Sequence, residues 1–226
     1  MAAATMDIEQ ARFNMIEQQV RPWEVLDPTV LELLSVVKRE VFVSAAHKDL
    51  AFADVEVPIG SKGISCQTML APKIEARMLQ ELNIKAKDKV LEIGSGSGYM
   101  AALIASKAEF VYTVEIDPEL VGVARKNLQQ AGVANVSVDL GDAAQGWPLY
   151  APYDVIVLSA STPILPESML KQLKIGGRMV AIVGEPPAMR MQLVTRTEEN
   201  AFTTINVFET VVAPLINAMQ GDNFVF

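Results

Sequence analysis

Val90-Leu91-Glu92-Ile93-Gly94-Ser95-Gly96-Ser97-Gly98-Tyr99 is the stretch on which the fold turns. Lys89–Ile93 reads as a short apolar strand and Tyr99–Ser106 as a helix. Between them, glycine alternates with serine, which lets the backbone turn sharply and approach a ligand closely. A strand-to-helix turn alone does not need three glycines. A dinucleotide loop places its third glycine three residues after the second. Tyr99 holds that position here, so the dinucleotide pattern fails.

Strands and helices alternate downstream. Phe110–Glu115 is a predicted strand, Pro118–Ala131 a helix, Val136–Leu140 a strand, and Val155–Ser159 another after the turn Trp147–Asp154. Pro166–Leu173 follows as a helix, Gly176-Gly177 turns into the strand Arg178–Val183, and Met191–Thr195 and Ala201–Phe208 read as late strands. This alternation predicts an α/β fold: a mostly parallel sheet covered on both faces, with an antiparallel edge at the end. Upstream, Ile8–Val20 has helical spacing and ends at Arg21-Pro22. Asp27 caps a second helix that opens with Pro28 and runs to Val37, and Lys38–Ala45 begins a short third one. Phe52–Ala71 is irregular, a long functional loop or a short hairpin, before a helix from Pro72 to Leu82. Residues 1–71 are therefore expected as N-terminal helices with an acceptor-side loop, packed on a core of residues 72–226.

Composition narrows the chemistry. Half of the 226 residues are apolar, enough for a sizeable core. The formal charge of -8 argues against nucleic acid and anionic membranes as partners. One cysteine (Cys66) and one histidine (His47) rule out an intrachain disulfide and a Cys/His zinc cluster. Met1–Thr5 lacks a basic region and an apolar core, and no uncharged apolar run approaches a membrane span, so a cytoplasmic protein is expected.

The stretch Val90–Tyr99, with an acid before a glycine-alternating loop in strand–loop–helix context, closely resembles the first motif of class I S-adenosylmethionine-dependent methyltransferases. That resemblance implies S-adenosyl-L-methionine held by Glu92 and by Gly94, Ser95, Gly96, Ser97 and Gly98. It implies that Glu115, with Ile116 beside it, takes the ribose hydroxyls, and that Gly141, Asp142 and Ala143 take the adenine. Ser159-Ala160-Ser161 is expected to pass under the methionine part. Asp117, just before Pro118, reads instead as a helix cap.

Flanking segments narrow the resemblance. Lys38-Arg39-Glu40-Val41-Phe42-Val43, Phe52-Ala53-Asp54, Pro58-Ile59-Gly60, Gly146-Trp147, Ala151-Pro152-Tyr153-Asp154, Gln172-Leu173-Lys174-Ile175-Gly176-Gly177-Arg178 and Val212-Ala213-Pro214-Leu215 together look like the protein-L-isoaspartate O-methyltransferase family. The family implies a seven-stranded class I methyltransferase sheet and a protein or peptide carboxylate as substrate, the α-carboxyl of isoaspartyl residues in damaged proteins. It also implies an active-site serine in a Gln-Thr-Ile-Ser-x-Pro signature. Here Gln67-Thr68-Met69-Leu70-Ala71-Pro72 matches, with Leu70 at the serine position and Met69 beside the cofactor. A rival register puts Ile64-Ser65 there and makes Ser65 the serine. Asp54 is the remaining catalytic candidate on the acceptor side, and Arg39 is either a binder of the substrate carboxylate or half of an ion pair. A carboxylate acceptor is already ionised at neutral pH, so no general base is needed. Loss of the serine hydroxyl points to an altered acceptor or weak isoaspartyl activity, with the cofactor site intact. A cofactor-binding module without turnover is the further alternative.

Overall fold

The computed structural model describes residues 7–59 and 67–221. Ser65 and Cys66 lie outside the described residues. The chain opens with α1 (Ile8–Asn14), which widens into a π-helical turn, Met15–Val20, and tightens into a 3-10 turn, Arg21–Trp23. The single helix expected over Ile8–Val20 is thus two helical types, and Glu24 ends the run in a left-handed conformation. α2 (Pro28–Val36) starts where expected because the Asp27 carboxylate accepts from the Thr29 N–H at 2.8 Å. Lys38–Ala45 holds only a 3-10 turn, Arg39–Val41, with a second at Ala45–Leu50. Phe52–Ala71 carries a hairpin: β1 (Val57–Pro58) pairs antiparallel with β2 (Thr68–Met69), and the Ile59 N–H donates to the Gln67 carbonyl at 3.0 Å. α3 (Pro72–Leu82) follows at once.

The remaining elements are β3 (Lys89–Ile93), α4 (Tyr99–Ala105), β4 (Phe110–Glu115), α5 (Pro118–Gln130), β5 (Val136–Leu140), β6 (Tyr153–Thr162), α6 (Glu167–Leu170), β7 (Leu173–Glu185), β8 (Ala188–Glu198) and β9 (Ala201–Thr210). The strands form one seven-stranded sheet in the order β5-β4-β3-β6-β7-β8-β9. β3 to β7 run parallel, β8 runs against them, and β9 turns back again. The antiparallel strand is therefore β8, one place inside the edge.

β7 starts five residues before the expected Arg178. Gly176-Gly177 is not a turn before the strand but an irregularity within it, where the pairing with β6 jumps from Tyr153↔Leu173 to Val155↔Arg178. Gly177 is required there because a Cβ would meet the Lys174 carbonyl oxygen at 2.8 Å.

Side chains alternate across the sheet. Val90, Val155, Val157, Val180 and Ile182 join one buried cluster with the N-terminal helices, α3, α4 and α5; Leu91, Ile93, Ile156, Leu158 and Met179 join the cluster on the opposite face. The first cluster includes Met15, Leu34, Leu70 and Ile74, so burial continues across residue 71 without a break. After β5 the chain crosses to the other side of β3, which makes the β3/β6 boundary the topological switch point. Open α/β sheets bind ligands at that point, beyond the carboxyl ends of the strands.

Candidate active site

A cleft opens at this switch point, and each stretch of its wall has a different origin. The glycine loop supplies Gly94 and Gly96, the end of β4 supplies Glu115 and Ile116, and β6 supplies Ser159. Leu70, Gln67 and Thr68 line it from the hairpin side. A recess at the carboxyl end of β5 continues it past Gly141, Asp142 and Ala143.

The three loop glycines do different work. All have positive φ, +90°, +51° and +85° for Gly94, Gly96 and Gly98. Gly96 faces the cleft, and a Cβ there would meet the Ile59 Cδ1 at 2.9 Å. Gly98 does not line the cleft. It lets α4 approach α5, since a Cβ would sit 3.3 Å from the Ala124 carbonyl oxygen and 3.2 Å from Leu128. Ser95 and Ser97 also lie behind the wall. The Ser95 hydroxyl shares a 2.6 Å hydrogen bond with Thr113, and the Asn127 side chain donates to the Ser97 carbonyl.

Glu115 is fixed by backbone donors. Its Oε1 accepts from the Ile116 and Asp117 N–H groups at 2.9 and 3.1 Å, and its Oε2 from the Gly96 N–H at 3.0 Å. A carboxylate has about four acceptor positions. Oε1 is therefore already occupied twice, and Oε2 is the oxygen with room for a further donor. Asp117 caps α5, as expected, through the Glu119 N–H at 2.8 Å.

Glu92 does not reach the cleft surface. It is fully buried behind Ser159, whose hydroxyl donates to Oε1 at 3.0 Å, while Thr113 donates to Oε2 at 2.6 Å. Burial pushes its carboxyl up to about 8, with Glu75 and Glu115 adding to the rise and the two hydroxyls opposing it. Ser159 itself lines the cleft. At the far end, the Asp142 Oδ1 accepts from the Ala144 N–H at 3.0 Å, and its Oδ2 accepts from the Asn217 side chain at 2.8 Å.

The hairpin side is braced from within. Arg39, fully buried, pairs with Glu75 and donates to the Leu70 carbonyl at 2.8 Å. Its guanidinium also lies 5.1 Å from the centroid of the Tyr99 ring. Of the two readings of Arg39, the ion pair is the one present. Burial pushes Glu75 up to about 7, with Arg39 opposing. Met69 is buried and Asp54 pairs with Lys73 at 2.7 Å; neither lines the cleft. His47 hydrogen-bonds Ser44 at 3.1 Å, away from the cleft wall.

Some of the wall was not singled out from sequence. Ile59 closes over Gly96, Leu120 lines the cleft from α5, and Ala213, Pro214, Leu215 and Ile216 form a strap across the top. Ser161 pins the strap: its N–H donates to the Ala213 carbonyl, its carbonyl accepts from the Leu215 N–H, and its hydroxyl donates to the Val212 carbonyl, each at 2.9 Å. The motif Val212-Ala213-Pro214-Leu215 was the only sequence signal for it.

Residues 10–220 match the Protein-L-isoaspartate(D-aspartate) O-methyltransferase family. A Protein-L-isoaspartate O-methyltransferase of Syntrophus aciditrophicus is 40% identical over 192 residues, 85% of this chain and 86% of that one. One of Protochlamydia amoebophila is 40% identical over 203 residues, 89% and 95% of the two chains. Among solved structures, a protein-L-isoaspartate O-methyltransferase superposes with a TM-score of 0.79 at 23% identity, over 93% of this chain and 66% of that one. A Plasmodium falciparum structure described as a protein-L-isoaspartate O-methyltransferase in complex with S-adenosyl-L-homocysteine gives 0.78 at 20% identity, over 94% and 99%. The two solved structures share the class I methyltransferase fold, and the sequence matches place this chain in the protein-L-isoaspartate(D-aspartate) O-methyltransferase family.

Proposed function

We propose that the protein transfers a methyl group from S-adenosyl-L-methionine to the α-carboxylate of isoaspartyl residues in damaged proteins, as a cytoplasmic repair enzyme. The observation that carries the acceptor class is the chemistry of the cleft wall. Among the described residues lining this cleft, Glu115 is the one titratable side chain, and the backbone N–H groups around it already engage it. An amine or alcohol acceptor would need a base to take its proton. A carboxylate needs none.

The residues present fit the cofactor. Gly96 leaves room at the loop that any Cβ would fill, Glu115 offers Oε2 to ribose hydroxyls, and Ile116 and Leu120 give apolar surface beside it. Asp142 stands at the recess for the adenine amino group, and Ser159 at the methionine end. The bound cofactor supplies an electrophilic methyl on a sulfonium. The protein's part is to hold acceptor and methyl in line and exclude water. Leu70 lines the cleft; in the register that puts it at the family's serine position, it offers the acceptor an apolar surface instead of a hydroxyl. That substitution favours a second reading, a related carboxylate acceptor handled better than the isoaspartyl one.

A methyl-transfer assay on an isoaspartyl peptide beside its normal aspartyl twin tests the proposal. Methylation of the isoaspartyl peptide alone is expected. If S-adenosylhomocysteine binds but neither peptide is methylated, the isoaspartyl assignment fails and the second reading stands.

A further inference from the structure

A second concave surface adjoins the cleft, and the proposed reaction leaves it unused. It is a groove of about 730 Å³ between residues 40–48 and one face of α5, on which Glu119, Val123, Lys126, Asn127 and Gln130 recur at helical spacing. Phe42 and Val43 are buried beneath it, so its floor is apolar. Ile59 lines both the groove and the cleft, and α5 walls both, with Leu120 on the cleft side. The rim is cationic. Among the described residues, Lys48, Lys87 and Lys126 are the lysines and arginines whose side chains carry no hydrogen bond or ion pair, in a chain of formal charge -8. Lys48 and Lys126 both line this groove, and both are exposed. Glu40 lines it too, but Arg12 from α1 pairs with it. Glu119 stands in the first turn of α5, at the cleft end, whereas Lys126 lies about two turns further along.

We propose that this groove is a subsite for the polypeptide beside the methyl acceptor, and that Lys48 and Lys126 select an acidic side chain about three residues from the isoaspartyl residue. The inference rests on the methyl-transfer reading above. An isoaspartyl residue presents its free α-carboxylate as a branch, so the chain leaves the cleft on both sides of it. Ile59 and α5 are common to cleft and groove, and one side of the chain passes along them. Lys126 lies about 9 Å beyond Leu120 along the helix axis, which an extended chain covers in about three residues. A carboxylate there meets two cations that no other described side chain engages, while the apolar floor takes the aliphatic parts of the flanking residues. An acidic residue nearer the acceptor meets Glu119 instead, so the preference is confined to the far end of the groove.

Steady-state methylation by the whole protein tests this with isoaspartyl peptides that differ in one flank. Glutamate, glutamine or lysine occupies the third and fourth positions from the isoaspartyl residue, on its amino side in one set and on its carboxyl side in the other. On one of the two sides, the glutamate peptide is expected to have a KM about three- to tenfold below that of the glutamine peptide at low ionic strength, with kcat alike, and the gap should close in high salt. With Lys48→Glu and Lys126→Glu combined, the glutamate preference should vanish and the lysine peptide should have the lowest KM. Calorimetry should find S-adenosylhomocysteine bound as tightly as in the parent. Inversion of the preference is a readout that a structural role for the lysines does not give. Equal KM values for the glutamate and glutamine peptides on both sides, or a glutamate preference that survives in the double variant, overturn the inference while the methyl-transfer reading survives. If the parent methylates no peptide of either set, both fall.

Discussion

The glycine-loop wall of the cleft and its hairpin wall, which we propose faces the acceptor, are held by different kinds of bond. On the glycine side, neighbours in the sheet do the holding: the Gly94 N–H donates to the Val114 carbonyl at 2.9 Å, and Glu115 ties Gly96 to the start of α5. On the acceptor side the ties are long-range. Arg39 reaches the Leu70 carbonyl across 31 residues of sequence and pairs with Glu75 across 36. The glycine-side ties join adjacent parallel strands, whose signals, an apolar run, glycines and an acid at a strand end, are each written locally. A tie across 31 residues leaves no pattern at either end.

The legibility of the molecule follows that division. Val90–Tyr99, Glu115 and the Asp117 cap were readable because strand period, glycine freedom and capping chemistry act within a few residues. The family resemblance added the acceptor loop and the cofactor. What neither showed was depth. Glu92, Ser95, Ser97, Gly98 and Met69 belong to the right segments but lie behind the wall, because only every second residue of a strand faces one side and the loop turns within itself. The Gly176-Gly177 irregularity was hidden for a related reason, since paired glycines signal a turn equally well.

The comparison can be broken first on the glycine side. Gly96→Arg puts a side chain where a Cβ already meets Ile59 at 2.9 Å, at a φ of +51°. Binding of S-adenosylhomocysteine should be lost altogether in calorimetry while circular dichroism still shows a folded chain. Binding as tight as the parent's would remove the glycine loop from the cofactor site.

Arg39→Leu attacks the other wall at the point where the two sides meet, since Arg39 holds Leu70 and lies over Tyr99 at the start of α4. Removing one member of a buried pair costs about 3–5 kcal/mol, because the other is left uncompensated. Glu75 then takes up a proton, and a raised carboxyl pKa gives stability that is present below the unfolded value of about 4.3 and lost as pH rises through the folded value. Denaturant unfolding should therefore show the variant weakened more at pH 8 than at pH 5. Acceptor turnover should fall more than cofactor affinity, because Leu70 loses its brace while Glu115 keeps its own donors. An unchanged midpoint at pH 8 would mean that the pair holds nothing together.

Leu70→Ser asks for the least and sharpens the comparison most. If Leu70 stands at the family's serine position, a hydroxyl there gives the acceptor carboxylate a donor that it lacks in the parent. One such bond contributes about 1 kcal/mol, roughly fivefold in turnover of an isoaspartyl peptide. The wall should not move, because the Leu70 tie to Arg39 runs through its backbone carbonyl, which the substitution keeps. Cofactor affinity should hardly change for the same reason. The cost falls on stability: Leu70 is only 5% exposed, and replacing a buried leucine by a small polar residue costs about 2–4 kcal/mol, to be read as a lower denaturant midpoint. A variant that loses stability without gaining turnover shows that position 70 is packing and that the acceptor takes its hydrogen bonds elsewhere. Ser65→Ala, measured beside it on the same peptide, then decides the register. If the parent is already fast and Ser65→Ala alone slows it, the hydroxyl comes from the Ile64-Ser65 alignment, and Leu70 is only part of the wall behind it.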